Sequence, residues 1–205
     1  MLKIYLARHG QDQDNANGIL NGHRDEPLTE VGISQAKELA DKTKEAGIIF
    51  DAIYTSPLKR AVDTAHIVAI SQGKTEIVLD SLIERNFGIM TGQPHTKVLE
   101  MCAPEVLFEG HFYYFLSPKG AETFPELVIR GKQIIEFVKA RHKDRNVLLV
   151  SHGDIGKMIY ASFYKLDWKK VLLMFHFGNS DLVLLSDESS PSDVHVFKIK
   201  QNNGL

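Results

Sequence analysis

Ile4-Tyr5-Leu6-Ala7-Arg8-His9-Gly10 decides the fold: four apolar or aromatic residues run directly into an arginine, a histidine and a glycine. So short an apolar run, ending in a turn-forming residue, reads as a buried strand feeding a loop. The pattern returns at Asn146-Val147-Leu148-Leu149-Val150, the clearest buried strand in the chain, which ends at Ser151-His152-Gly153. In open α/β sheets ligands bind at the carboxyl ends of strands. Two strand ends that each deliver an imidazole therefore predict two histidines facing one crevice.

Working outward, strands alternate with helices. Gln11 to Asp25 is polar and loop-like, rich in Asn, Asp and Gly. Thr29 is read as the N-cap of a helix with Ile33, Ala36, Ala40 and Thr43 on one face, stopped at Gly47. Phe50 to Thr55 reads as a second strand. Ser56 then serves as N-cap and Pro57 as first turn of a helix through Ala61, Thr64, Ala65 and Val68. Glu76 to Leu79 is a third strand. A long helix spans about Phe124 to His142 with Leu127, Ile134, Ile135 and Val138 as its core stripe. A helix leaves His152 through Ile155, Ile159 and Phe163, and strands follow at Leu182 to Leu185 and Val194 to Ile199. The alternation predicts an α/β/α three-layer sandwich with a mostly parallel central sheet. At 205 residues the chain fits one domain, residues 1–205, with an irregular cap-like insertion at about 87–123.

Bulk properties narrow the chemistry. The 24 Lys and Arg against 26 Asp and Glu leave a formal charge of −2. Nucleic acid or an anionic membrane as main partner would demand a basic footprint. An anionic substrate would instead need a few placed arginines. No apolar run approaches the ~20 residues that span a bilayer. The lone Cys102 allows no internal disulfide, and with no secretory signal pattern the expected location is cytoplasmic.

Any one histidine is more often a satisfied structural residue than a functional one, and His23, His66, His95, His111, His142 and His176 are read that way. His9 and His152 differ because each closes a strand. Arg8 precedes His9, and Arg60 stands near a helix start. A guanidinium fork matches phosphate oxygens, and a helix N-terminus adds free N–H groups and a favourable dipole. Taken alone, Arg60 would be a solvated helix residue. Glu84, in Leu82-Ile83-Glu84-Arg85-Asn86-Phe87-Gly88, follows a strand and is placed to give a proton to a leaving oxygen.

These residues, in this order, resemble the histidine phosphatase superfamily, the phosphoglycerate-mutase-like fold. The resemblance rests on Arg8-His9-Gly10 with Asn15, on Gly22 through Asp25 to Leu28-Thr29 and Gly32, and on Thr55-Ser56-Pro57 with Arg60, Ala61 and Thr64. It continues through Leu82, Glu84, Gly88 and Gly92, Gly120-Ala121-Glu122-Thr123, Val150-Ser151-His152-Gly153 and Asn179-Ser180. It implies a phosphomonoesterase for a small phosphorylated metabolite, with no metal and no cofactor. By it His9 becomes phosphohistidine, Arg8, Arg60, Asn15 and His152 hold the phosphate, and Glu84 protonates the departing alcohol. Two guanidiniums and an imidazolium would neutralise the phosphoryl group.

Two positions depart from the family pattern. Asp12 stands where Ser or Thr is common, and is read as a solvated loop residue outside the site. Thr91 replaces a frequent Glu before Gly92. Phe112 to Phe115 either line a substrate cap or pack an inserted helix. The insertion is shorter than that of the cofactor-dependent mutases, which favours hydrolysis over isomerisation. The alternatives are a mutase-type isomerase and a docking module built on a silent site. A P-loop fails on spacing around Gly156-Lys157, and a zinc site on the spacing of the histidines.

Overall fold

The computed structural model describes residues 1–109, 112–192 and 195–201. Its centre is a six-stranded sheet built from β1 (Lys3–Arg8), β2 (Ala52–Thr55), β3 (Glu76–Val78), β6 (Asn146–Ser151), β7 (Leu182–Leu185) and β8 (His195–Phe197). The strand order is β3-β2-β6-β1-β7-β8. The pairs β3–β2, β2–β6 and β6–β1 are parallel, and β7 runs antiparallel to both its neighbours. Val194, assigned to the last strand from sequence, lies outside the described residues.

The apolar runs of β1 and β6 are continuous because both faces of the sheet are covered. Ile4, Leu6, Val147 and Leu149 enter one core with residues of α5 (Phe124–Arg141), α6 (Gly153–Tyr164) and α7 (Trp168–Met174). Tyr5, Ala7, Leu148 and Val150 enter the opposite core with residues of α2 (Glu30–Glu45) and α3 (Lys59–Ser71). Each Leu, Ile or Val so buried contributes about 1.5–3 kcal/mol. The result is the expected α/β/α sandwich. No helix among the described residues is long and apolar enough to cross a membrane.

Several local expectations change. Ile33 is 39% exposed, and Leu39 takes the inward position on α2. Helix α3 begins at Lys59, two residues after Pro57, and its N-cap Leu58 makes no side-chain cap bond. Ser56 does not cap that helix because the extended Leu58 delays its start, and Ser56 Oγ accepts the Leu58 amide ahead of it instead. The polar loop after His9 contains the short helix α1 (Gln13–Ala16), with Asp12 as N-cap. Residues 87–123 hold α4 (Val98–Cys102) and a hairpin of β4 (Val106–Glu109) and β5 (Phe112–Phe115). The Phe112–Phe115 segment is thus a strand, not a helix. Phe115 joins Leu20, Phe87, Met90, Val98 and Cys102 in a third apolar cluster.

Candidate active site

Arg8 and Ser151 are register partners at the ends of β1 and β6, and the His9 amide donates to the Ser151 carbonyl at 3.0 Å. This sets the His9 and His152 rings 5.0 Å apart. The turn after His9 is held by contact as much as by hydrogen bonds. A Cβ on Gly10 would strike the Gly32 carbonyl, and one on Gly32 would strike the Gln11 carbonyl. The Gly10 amide donates to Thr64 Oγ1 at 3.0 Å, and Asn179 Nδ2 donates to the His9 carbonyl at 3.0 Å. The paired glycines and the late Asn179-Ser180 therefore serve one purpose, which is to fix the His9 loop on the sheet end.

The His9 ring is 3% exposed. Its Nδ1–H donates to the Gly10 carbonyl at 2.7 Å, so the lone pair sits on Nε2. Burial first, then Arg60 and Arg8, holds this imidazole well below the ordinary histidine range. Arg60, only 1% exposed, donates from Nε to His9 Nε2 at 3.3 Å. Its other nitrogens donate to the carbonyls of Arg24 (2.6 Å) and Gly22 (3.0 Å). The reading of Arg60 as a solvated helix residue therefore fails. Arg8 donates from Nη1 to the Phe177 carbonyl at 2.9 Å, while its buried Nε has no hydrogen-bond partner.

His152 is fully buried, its Nε2 2.7 Å from Ser56 Oγ and its Nδ1 without a hydrogen-bond partner. Burial, followed by Arg60, His9, Arg8 and Arg130, pushes it well below the usual histidine range. This disfavours the imidazolium that the sequence reading sets against the phosphoryl group. Glu84 faces the start of α6. It accepts from the amides of Arg85 (2.8 Å), Ile155 (3.2 Å) and Asp154 (3.3 Å). Burial and then the Asp154 carboxylate raise it above the ordinary carboxylate range despite those donors.

Arg8, His9, Asn15, Arg60 and Glu84 line one cleft of about 180 Å³, with Phe87, Tyr113, Tyr114 and Phe115 forming part of its wall. His152, fully buried and 5.0 Å from the His9 ring, is not among the residues that line the cleft. Tyr113, Tyr114 and Phe115 of β5 thus line the cleft, and Phe115 also packs the third cluster. Asn15 lines the cleft, but its amide already gives to Asn21 Oδ1 (3.0 Å) and takes from Asn179 Nδ2 (3.1 Å). His95 and His176 line the cleft too, whereas His66 pairs with Glu76 on the surface and His142 with Tyr54. His23 donates to the Glu84 carbonyl at 2.8 Å, and His111 lies outside the described residues. Thr91 is not among the cleft residues and packs beside Gly22.

Sequence reasoning missed four supports. Arg85, fully buried under Phe87, Phe115 and Phe124, pairs with Asp154 at 2.8 Å. Glu122 holds Arg130, which donates to the carbonyls of Ser81 (2.7 Å) and Ile83 (2.6 Å) and so clamps the segment carrying Glu84. Lys157, 3% exposed, lines the cleft and donates to Tyr114 Oη at 2.8 Å. Its signal was its place one helical turn after Gly153, on the side of α6 facing the strand ends.

The fourth is Asp12. It was read as solvated, yet it is completely buried. Its Oδ2 lies 3.6 Å from His9 Nδ1 and 3.5 Å from Arg60 Nε. The sequence neighbours alone conceal this, because the loop turns inward beneath the α2 N-terminus.

The sequence model of the histidine phosphatase superfamily (branch 1) matches residues 4–198. The chain belongs to that superfamily. It is 31% identical to a 2,3-bisphosphoglycerate-dependent phosphoglycerate mutase of Parvibaculum lavamentivorans, over 83% of this chain and 84% of the relative. It is also 31% identical to phosphoserine phosphatase 1 of Hydrogenobacter thermophilus, over 96% of this chain and 87% of the relative. Among solved structures, phosphoserine phosphatase of Entamoeba histolytica in complex with 3-phosphoglyceric acid is similar. Its TM-score is 0.74 at 25% identity, covering 90% of each chain.

Proposed function

We propose that this superfamily member is a metal-independent phosphomonoesterase that works on a small phosphorylated metabolite through a phosphohistidine. The observation that carries the reading is the tautomer of His9. Its ring proton is tied to the Gly10 carbonyl, so Nε2 holds the electron pair at a cleft lined by Arg8, Arg60 and Glu84. The pair on Nε2 forms the N–P bond while the P–O ester bond breaks, and Glu84 gives its proton to the departing oxygen. Water then attacks phosphorus and yields a proton to Glu84, and the N–P electrons return to Nε2. Phosphoryl transfer asks for positioning and charge neutralisation more than for covalent help.

Arg8 and Arg60 supply the positive charge. We take the Ser56 hydroxyl, whose oxygen also accepts the Leu58 amide, as the donor to His152 Nε2. His152 then carries its own proton on Nδ1 and acts as a neutral donor to a phosphate oxygen. Asn15 adds a contact to the phosphate or the leaving group. The whole chain acts as one catalytic unit, with 87–123 as its cap, in the cytoplasm.

Incubation with p-nitrophenyl phosphate tests the reading. The wild type should release phosphate and form an acid-labile, base-stable phosphoenzyme, and His9→Ala should lose both. Equal rates in the two proteins would end the proposal for His9. Mutase relatives favour a second reading, return of the phosphoryl group to a substrate hydroxyl. With 3-phosphoglycerate and a bisphosphate primer, isomerisation far outpacing phosphate release would select it.

A further inference from the structure

We infer that Asp12 is a positioning residue that balances charge beneath the nucleophile, stabilising the cationic ring His9 acquires when it takes a phosphoryl group. The inference rests on the phosphohistidine reading and adds a residue at which this chain departs from its family's usual Ser or Thr.

The geometry has two halves. Oδ1 is anchored, accepting from the Asn15 amide at 2.9 Å and from Asn21 Nδ2 at 2.8 Å. Oδ2 has no hydrogen-bond partner, although it is buried. It faces His9 Nδ1 at 3.6 Å and Arg60 Nε at 3.5 Å. An unpartnered buried carboxylate oxygen costs free energy that a serine hydroxyl would not. Burial raises the Asp12 carboxyl above its ordinary range, and the Asn15 amide, Arg60, Asn21 and Arg8 pull it back toward the charged form.

The chemistry explains what that oxygen does. When Nε2 forms its bond to phosphorus, Nδ1 keeps its proton and the ring becomes positive. A carboxylate within 4 Å of that edge favours the charged ring, as the aspartate of a catalytic triad favours its imidazolium. It also draws on Arg60 Nε, the same N–H that caps the His9 lone pair in the resting site. The opposing effect is repulsion of the incoming phosphate, which a serine would not exert. Asp12 therefore trades ground-state phosphate binding for a faster transfer, and this trade separates a charge role from a packing role.

The test is D12N, which keeps Oδ1 as an acceptor for Asn15 and Asn21 and removes the charge, with D12S as a smaller uncharged partner should D12N not fold. Rapid quench with p-nitrophenyl phosphate reads phosphorylation of His9, and inhibition by orthophosphate reads anion affinity. We expect phosphorylation to slow about tenfold or more, since an opposite charge at this range is worth one to three pKa units to the ring. Orthophosphate should inhibit as well as, or several-fold better than, in the wild type. A wild-type phosphorylation rate overturns the inference. So does a rate loss accompanied by weaker phosphate inhibition, which is the mark of a merely structural role. Absence of any acid-labile phosphoenzyme in the wild type counts against His9 itself, and so is told apart from failure of Asp12 alone.

Discussion

Arg8 and Arg60, with Lys157 on the wall, bring positive charge to the cleft, while burial and the same guanidiniums hold His9 and His152 well below the ordinary histidine range. On the proposed mechanism a His9 held below the histidine range attacks at neutral pH, and a Glu84 raised above its usual range gives the proton. The division of labour makes a sharp prediction. With an alkyl phosphomonoester, whose alkoxide cannot leave unprotonated, Glu84→Gln should cut kcat by about 10²–10⁴-fold. With p-nitrophenyl phosphate, whose phenolate leaves as a stable anion, the loss should be far smaller. On the proposed mechanism the acid form of Glu84 is the working one, so the alkyl ester rate should hold below its raised pKa and fall as pH climbs through it. Asp154→Asn removes a carboxylate that contributes to that rise, so the falling limb should move to lower pH. A pH–rate profile unmoved in Asp154→Asn would break the link between the two carboxylates. At this scale the sequence spoke clearly for residues at strand ends and poorly for those that lean in from loops. His9 and His152 were legible because a buried strand points them. Asp12 was not, because whether a loop carboxylate faces water depends on what folds over it.

At the scale of elements, the same distinction explains which boundaries were readable. β1 and β6 were plain because strands buried on both faces carry unbroken apolar runs. The apolar stripe of Leu127, Ile134, Ile135 and Val138 made α5 plain, and the structure closes its start with a Thr123–Glu126 capping box. The start of α3 lies later than the sequence predicts because Leu58 stays extended and Ser56 Oγ accepts the Leu58 amide before the helix begins. The β4–β5 hairpin was missed since Phe112-Tyr113-Tyr114-Phe115 shows no alternation to declare a strand. Elements meet most tightly where the His9 turn touches α2, at Gly10 and Gly32. Gly32→Ala would drive its methyl group into the Gln11 backbone, and backbone cannot rotate away as a side chain can. We expect a loss of about 1–3 kcal/mol in urea denaturation. Activity should fall as well, because relief of the clash moves the turn that aims His9. Full activity with lowered stability would mean that the turn is not the seat of that alignment.

For the whole molecule, the buried site makes stability depend on pH in two opposed directions. His9 and His152 have folded-state pKa values well below the ordinary histidine value of 6.5. As pH falls below that value, the unfolded chain takes up protons that the fold refuses, so stability is present above about pH 6.5 and lost below it. The slope reaches up to about 1.4 kcal/mol per pH unit for each histidine. Asp12 and Glu84 act in reverse, since their folded-state values lie above the ordinary carboxylate values of 3.8 and 4.5. There the fold keeps protons that the unfolded chain has released, and stability drains as pH rises from those ordinary values through the raised ones. Urea denaturation of the wild type between pH 4 and 8 therefore mixes a rising and a falling contribution, and variants separate them. His152→Asn should flatten the rising side between about pH 5 and 6.5, by up to about 1.4 kcal/mol per unit. D12N and Glu84→Gln should each remove part of the falling side, because an amide at either position no longer titrates. If all three variants keep the wild-type slopes, these groups titrate alike in the folded and unfolded chain, and the charge-excluding site that the mechanism relies on is not there.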